Sequence, residues 1–139
     1  MSDVYFKWDA AKLSTQVEAM DDEHMILINI MNQLYERHQA EASNEELLLI
    51  VKELVLWTGI HCEHEESYFA TLPYLQADAH KKVHRDLLDR LKQYHDNFEK
   101  TGALDPMFFQ FLKTWLTAHI MGIDSKYGEI AVRVLCLAK

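Results

Sequence analysis

Five histidines and two carboxylates, His24, His61, Glu65, His80, His84, His119 and Asp124, are the side chains here with the clearest capacity for chemistry. An imidazole offers a nitrogen lone pair and a carboxylate offers two oxygens, so the set is suited to hold metal. His61 with Glu65, and His80 with His84, stand four residues apart and share a helix face. Two octahedral ions present twelve positions. Five imidazoles, two bridging carboxylates and a bridging hydroxide or oxide fill all but one of them. Imidazole suits iron, whereas a single zinc site needs only three or four of the seven residues. The expected cofactor is therefore a pair of iron ions, and the open position admits a small diatomic ligand, O2. Five neutral imidazoles with two carboxylates and one hydroxide leave a diferrous core near a formal charge of +1, which favours reversible binding over turnover.

The set converges only in one architecture. In four helices running alternately up and down, the start of the first, the end of the second, the start of the third and the end of the fourth share one end. At about 1.5 Å per residue, each of the seven falls within roughly two turns of that end. The apolar spacing predicts these helices. The first runs from about Met20 to His38, on Leu27, Ile28, Met31 and Leu34. Asp21, Asp22 and Glu23 suit its positive N-terminal end. The second begins at Ser43 or Asn44 and is stopped by Thr71-Leu72-Pro73; the third spans about Gln76 to Lys100 and ends at Thr101-Gly102. Asp105-Pro106 opens a fourth that carries Phe108, Phe109, Leu112, Trp115, Leu116 and His119. Asp124 follows His119 by five, which requires a π-bulge or a helix end near Gly122. The fold class is thus an all-α, antiparallel up-down-up-down four-helix bundle. An N-terminal arm, residues 1–18, lays Tyr5, Phe6 and Trp8 across it, and residues 125–139 form a short terminal helix or an irregular cover.

Ile28, Leu87, Trp115 and Leu116 stand about one turn from ligand histidines and should wall the ligand pocket, with Cys62 a small buried thiol beside it. Glu66 is placed to accept the second N–H of a ligand histidine, while His38, His64 and His95 read as surface residues. The 139 residues form one domain, 1–139, with no repeat or linker. A net charge of −8 without clustered Lys and Arg argues against nucleic-acid binding. The N-terminus lacks a signal-peptide pattern, no apolar run is long enough for membrane insertion, and two unpatterned cysteines suit a reducing cytoplasm.

Phe6-Lys7-Trp8-Asp9, Asp22-Glu23-His24, the run from His61 to Glu66, His80-Lys81-Lys82-Val83-His84 and Trp115-Leu116-Thr117-Ala118-His119-Ile120, followed by Asp124, closely resemble the signatures of the hemerythrin family, single-domain bacteriohemerythrins in particular. The resemblance covers about residues 5 to 127. It implies that His80, His84 and His119 hold one iron and His24 and His61 the other, bridged by Glu65 and Asp124, with the open position on the two-histidine iron. It also implies oxygen storage, delivery or sensing, with an O2-consuming enzyme as one destination for the gas. An aromatic often follows the first ligand histidine of the second helix in this family; here Cys62 stands instead. The competing expectation is a di-iron enzyme with ferroxidase, peroxidase or nitric oxide reductase activity.

Overall fold

Apolar faces at helical spacing close into a bundle in the computed structural model, which describes residues 4–137. In chain order the elements are α1 (Ala10–Leu13), α2 (Glu18–Gln39), α3 (Asn44–Phe69), α4 (Ala77–Thr101), α5 (Met107–His119), a π-helical turn (Ile120–Asp124) and α6 (Ser125–Leu137). No strand occurs among the described residues. The four long helices are those expected, α2 starting two residues earlier than its apolar stripe. Ser43 Oγ accepts the Glu46 amide at 3.2 Å, a cap worth about 1 kcal/mol. Gly102, at φ 71°, ends α4 in the left-handed conformation that a side chain disfavours. Asp105 Oδ1 accepts the Met107 amide at 2.9 Å, so α5 starts directly after Pro106.

The ends of these helices establish their directions. The start of α3 meets the end of α4, where Asn44 Nδ2 donates to the Gly102 carbonyl at 2.6 Å. At the opposite end, the start of α2 meets the end of α3, and the His24 and His61 rings lie 4.6 Å apart. Neighbours are therefore antiparallel. Between the ends runs one apolar core built from Leu27, Met31, Leu34, Val51, Leu54, Leu87, Leu91, Phe108, Leu112 and Leu116. A second cluster, Met20, Phe69, Tyr74 and Tyr127, caps the histidine end.

The N-terminal arm packs as expected. Phe6 is buried, its backbone exchanging two 2.7 Å hydrogen bonds with the Asn32 amide, and Tyr5 stacks on Tyr35 with ring centroids 4.3 Å apart. The arm also contains the short helix α1, started by Asp9, whose carboxylate accepts the Ala11 amide. Asp21 does more than complement the dipole of α2: its carboxylate accepts the Thr15 amide at 2.8 Å and the Ser14 and Thr15 hydroxyls at 2.7 Å each. This ties the arm down beside α6, where a Cβ on Gly128 would lie 1.9 Å from the Thr15 carbonyl oxygen. Only a glycine allows that approach. The C-terminal segment is a regular helix to Leu137; residues 1–3 of the arm and 138–139 of the last segment lie outside the described residues. His38 and His95 are half-buried, not surface residues, because His38 packs its ring 5.2 Å from Phe109 and His95 sits on the partly covered flank of α4. No described helix is long and apolar enough to cross a membrane. Cys62 is buried, Cys136 is exposed, and both are free.

Candidate metal centre

His24 lies in the second turn of α2, His61 and Glu65 in the last turns of α3, His80 and His84 in the first two turns of α4, and His119 closes α5. The π-helical turn then adds the residue of pitch that brings Asp124 back onto the His119 face. All seven side chains are buried, His24, Glu65 and Asp124 completely.

Their inward atoms sort into two groups. Glu65 Oε1 faces Nε2 of His80, His84 and His119 at 3.3, 2.9 and 3.8 Å. Asp124 Oδ1 lies 3.0 Å from His80 Nε2 and 2.9 Å from His119 Nε2. The second oxygens turn the other way: Glu65 Oε2 is 3.5 Å from His24 Nε2 and 3.4 Å from His61 Nε2, and Asp124 Oδ2 is 3.1 Å from His24 Nε2. Each carboxylate thus gives one oxygen to a group of three imidazoles and the other to a group of two.

These atoms fit a pair of cations. His24 Nε2, His84 Nε2, Glu65 Oε1 and both Asp124 oxygens are buried without a hydrogen-bond partner, an arrangement that is costly unless something else satisfies them. Spacings near 3 Å are those that bonds of about 2.1 Å impose on neighbouring octahedral positions. Glu65 with His80, His84 and His119, and Glu65 with His24 and His61, are each compact enough to share one ion.

Around this layer, a second set of groups fixes the ring orientations. Glu23 joins two histidines, with Oε1 at 2.6 Å from His61 Nδ1 and Oε2 at 2.7 Å from His64 Nδ1. His84 Nδ1 lies 2.9 Å from Glu66 Oε2, and His80 Nδ1 lies 3.1 Å from the Tyr74 hydroxyl. Such contacts keep Nε2 pointing inward. Tyr127, fully buried, donates its hydroxyl to Glu65 Oε2 at 2.8 Å. Glu66 has the role its place in the sequence predicts, whereas those of Glu23, Tyr74 and Tyr127 emerge only in the folded chain. The position of Tyr127 three residues after Asp124 is a signal that could have pointed to it; Glu23 by sequence is only a charge at a helix start.

Without metal, the field of the site is set by its two carboxylates. Burial works against charge on His61, but hydrogen bonds to Glu23 and Glu65 outweigh it and push the group up to about 10. His119 is likewise raised, against burial, to about 9 by Asp124 and Glu65. Burial alone would raise Glu65 and Asp124, yet the surrounding imidazoles hold both below the ordinary carboxylate range. Burial and the nearby carboxylates drive Tyr127 far up, so its hydroxyl stays a donor. They also drive Cys62 up, leaving a neutral thiol unfit to ligate.

One turn below the ligand layer lies a cavity of about 20 Å³. Leu87, Trp115 and Leu116 line it; Leu27, Met31, Leu54, Leu91 and Leu112 complete its apolar wall. Its one hydroxyl, Thr58 Oγ1, donates to the Leu54 carbonyl at 2.7 Å. Ile28 and Cys62 are buried but take no part in this lining. Trp115 also stacks on His119, with centroids 4.4 Å apart and planes at 13°.

Comparison with known proteins agrees with this geometry. Residues 15–131 match the Hemerythrin HHE cation binding domain. A bacteriohemerythrin of Pseudomonas aeruginosa is 27% identical over 121 residues, covering 87% of this chain and 78% of that protein. A hemerythrin-like protein of Naegleria gruberi is 29% identical over 125 residues, covering 90% of this chain and 92% of its own. The crystal structure of a wild-type hemerythrin superposes with a TM-score of 0.83 at 25% identity, over 91% of this chain and 97% of the other. Since the matched region takes in α2 to α5 and the π-helical turn, the chain belongs to the hemerythrin family.

Proposed function

We propose that this protein binds O2 reversibly at a pair of iron ions, for storage, delivery or sensing. The observation that carries the proposal is the division of Glu65 and Asp124, one oxygen of each to the three-histidine group and one to the two-histidine group. In this reading His80, His84 and His119 would hold one ion and His24 and His61 the other, with Glu65 and Asp124 each offering one oxygen to both. A ferrous pair held there would supply two electrons for binding O2. The chain does the rest. Glu23, Glu66 and Tyr74 fix three rings through Nδ1. The Tyr127 hydroxyl donates to the Glu65 oxygen that faces the two-histidine group. Leu27, Leu87 and Leu116 make the cavity below apolar, and apolar cavities stay dry. Two free thiols suit the cytoplasm, and an enzyme that consumes O2 is a destination for the gas.

The test is repeated oxygenation and deoxygenation of anaerobically reduced, iron-loaded protein, followed by absorbance. Recovery of the starting spectrum over several rounds is expected. Continuous turnover, with hydrogen peroxide release or nitric oxide consumption and no recovery, would replace the carrier by a di-iron oxidoreductase.

Leu116→Ala opens the cavity at its base. A buried Leu→Ala change costs roughly 2–5 kcal/mol. Spontaneous oxidation of the oxygenated form should become severalfold faster while both irons remain, as checked by the decay of the oxygenated spectrum and by metal analysis.

Iron uptake should also release protons. His61, raised to about 10, and His119, raised to about 9, both carry a proton at pH 7.5 in the metal-free chain, and that proton occupies the lone pair the metal needs. At least two protons per chain should appear in weakly buffered solution on adding ferrous iron anaerobically, followed with a pH indicator. Affinity should therefore rise with pH through this range. Uptake without proton release would mean that His61 and His119 are already neutral in the metal-free chain.

A further inference from the structure

Between α4 and α5 the bundle is open to solvent along a groove of about 530 Å³, which shares Trp115 with the small cavity beneath the histidine layer. That volume falls within the range of small-molecule sites, roughly 300–1,000 Å³. The groove is apolar through most of its length: Val83 and Tyr94 form one wall, Met107 and Phe111 the other, and Trp115 the inner end. Its one charged residue other than the ligand histidine His119 is Arg90, whose guanidinium carbon sits 4.5 Å from the centre of the Phe111 ring.

Two facts about charge distinguish this surface. The chain carries 22 acidic against 14 basic residues, yet no carboxylate lines the groove. Among the described residues, the ion pairs made by Arg and Lys are Arg37–Glu46 and Lys52–Glu99, so Arg90 is in none. Asp105 lies in the adjoining polar depression, where its Oδ1 is taken by the Met107 amide. An aromatic-backed guanidinium at the mouth of an apolar trough presents a fork of donors to a planar anion and hydrocarbon contact to whatever follows it. From Arg90 to Val83 the trough follows seven residues of α4, about 10 Å, the reach of a medium-length alkyl chain.

We propose that this groove binds an amphipathic monocarboxylate, with its carboxylate on Arg90 and its tail along α5 toward Trp115. Trp115 is shared with the small apolar cavity, and His119 also lines the groove.

Calorimetric titration of the full chain with decanoate, decanol and decylammonium tests it. One decanoate should bind per chain, with decanol weaker and decylammonium weaker still. An exposed charge pair is worth up to about 1 kcal/mol, so Arg90→Ala should weaken decanoate about fivefold and leave decanol unchanged. Thr114→Trp, at an exposed position on the groove wall, should abolish binding of both. Gln110→Trp provides a second filling variant if the first loses helicity by circular dichroism. Equal affinity for decanoate and decylammonium, or decanoate binding that survives both filled grooves, would overturn the proposal. A dimer in sedimentation that Thr114→Trp dissociates would overturn it too, since a second copy would then be the occupant.

Discussion

Glu65→Ala should reduce iron from two ions per chain to fewer than one, because a single side chain serves both halves of the centre. Oε1 faces three imidazoles and Oε2 two, so no half retains its full set once it is gone. The effect on folding should also be large. Glu65 is wholly buried, receives the Tyr127 hydroxyl and balances imidazoles that the site holds in the charged form when metal is absent. Removing one partner from a buried ionic cluster costs about 3–5 kcal/mol. Metal analysis after anaerobic reconstitution and urea unfolding of the metal-free chain read the two effects separately. His95→Ala should change neither, since His95 stands on α4 away from the layer and bonds only its neighbour Asp96. Two irons in the Glu65 variant would mean that this carboxylate does not bridge.

Gly128→Ala is the second large effect, and it arises from backbone packing one turn beyond Asp124. The added methyl would sit 1.9 Å from the Thr15 carbonyl oxygen and 3.0 Å from the carbonyl carbon, both backbone atoms that cannot rotate away. The arm must lift, taking with it the Ser14 and Thr15 bonds to Asp21. Overpacking a tight contact costs about 1–3 kcal/mol, and the loss of these charge-assisted hydrogen bonds adds to it. Gly59→Ala supplies the contrast: nothing lies within 4 Å of a Cβ there, in the middle of α3, so a gain of roughly 0.5–1 kcal/mol is expected. Opposite signs for the same substitution in one chemical denaturation series would support both readings.

The fold and the convergence of the seven side chains were legible because helix geometry is local. Residues four apart share a face whatever surrounds them, and the alternation of ends follows from four helices joined by short connections. Even the awkward spacing from His119 to Asp124 carried its own solution, since five residues suit a π-helical turn and that turn is present. Groups that meet across distant parts of the chain were not legible. Glu23 reaches His61 over 38 residues and Tyr127 reaches Glu65 over 62, and no spacing encodes such pairs. Ile28 and Leu27 show a finer limit. Both stand one turn from His24, at four and three residues, and helical period alone does not decide between them; the packing of α2 turns Leu27 to the cavity. The Thr15–Gly128 contact gave no sequence signal beyond the presence of a glycine.

The same contact, together with the late position of the π-helical turn, orders events during synthesis. His24, His61, Glu65, His80 and His84 are made before His119 and Asp124. Thr15 has nothing to seat against until Gly128 follows. Between the synthesis of His84 and that of His119, therefore, the nascent chain carries four imidazoles without the residues that complete the set. Loose imidazoles bind copper or zinc more tightly than ferrous iron, and a cation caught then would meet a site not yet shaped to select against it. Selection between metals is thus a task for the closed bundle, in which all seven side chains have come together.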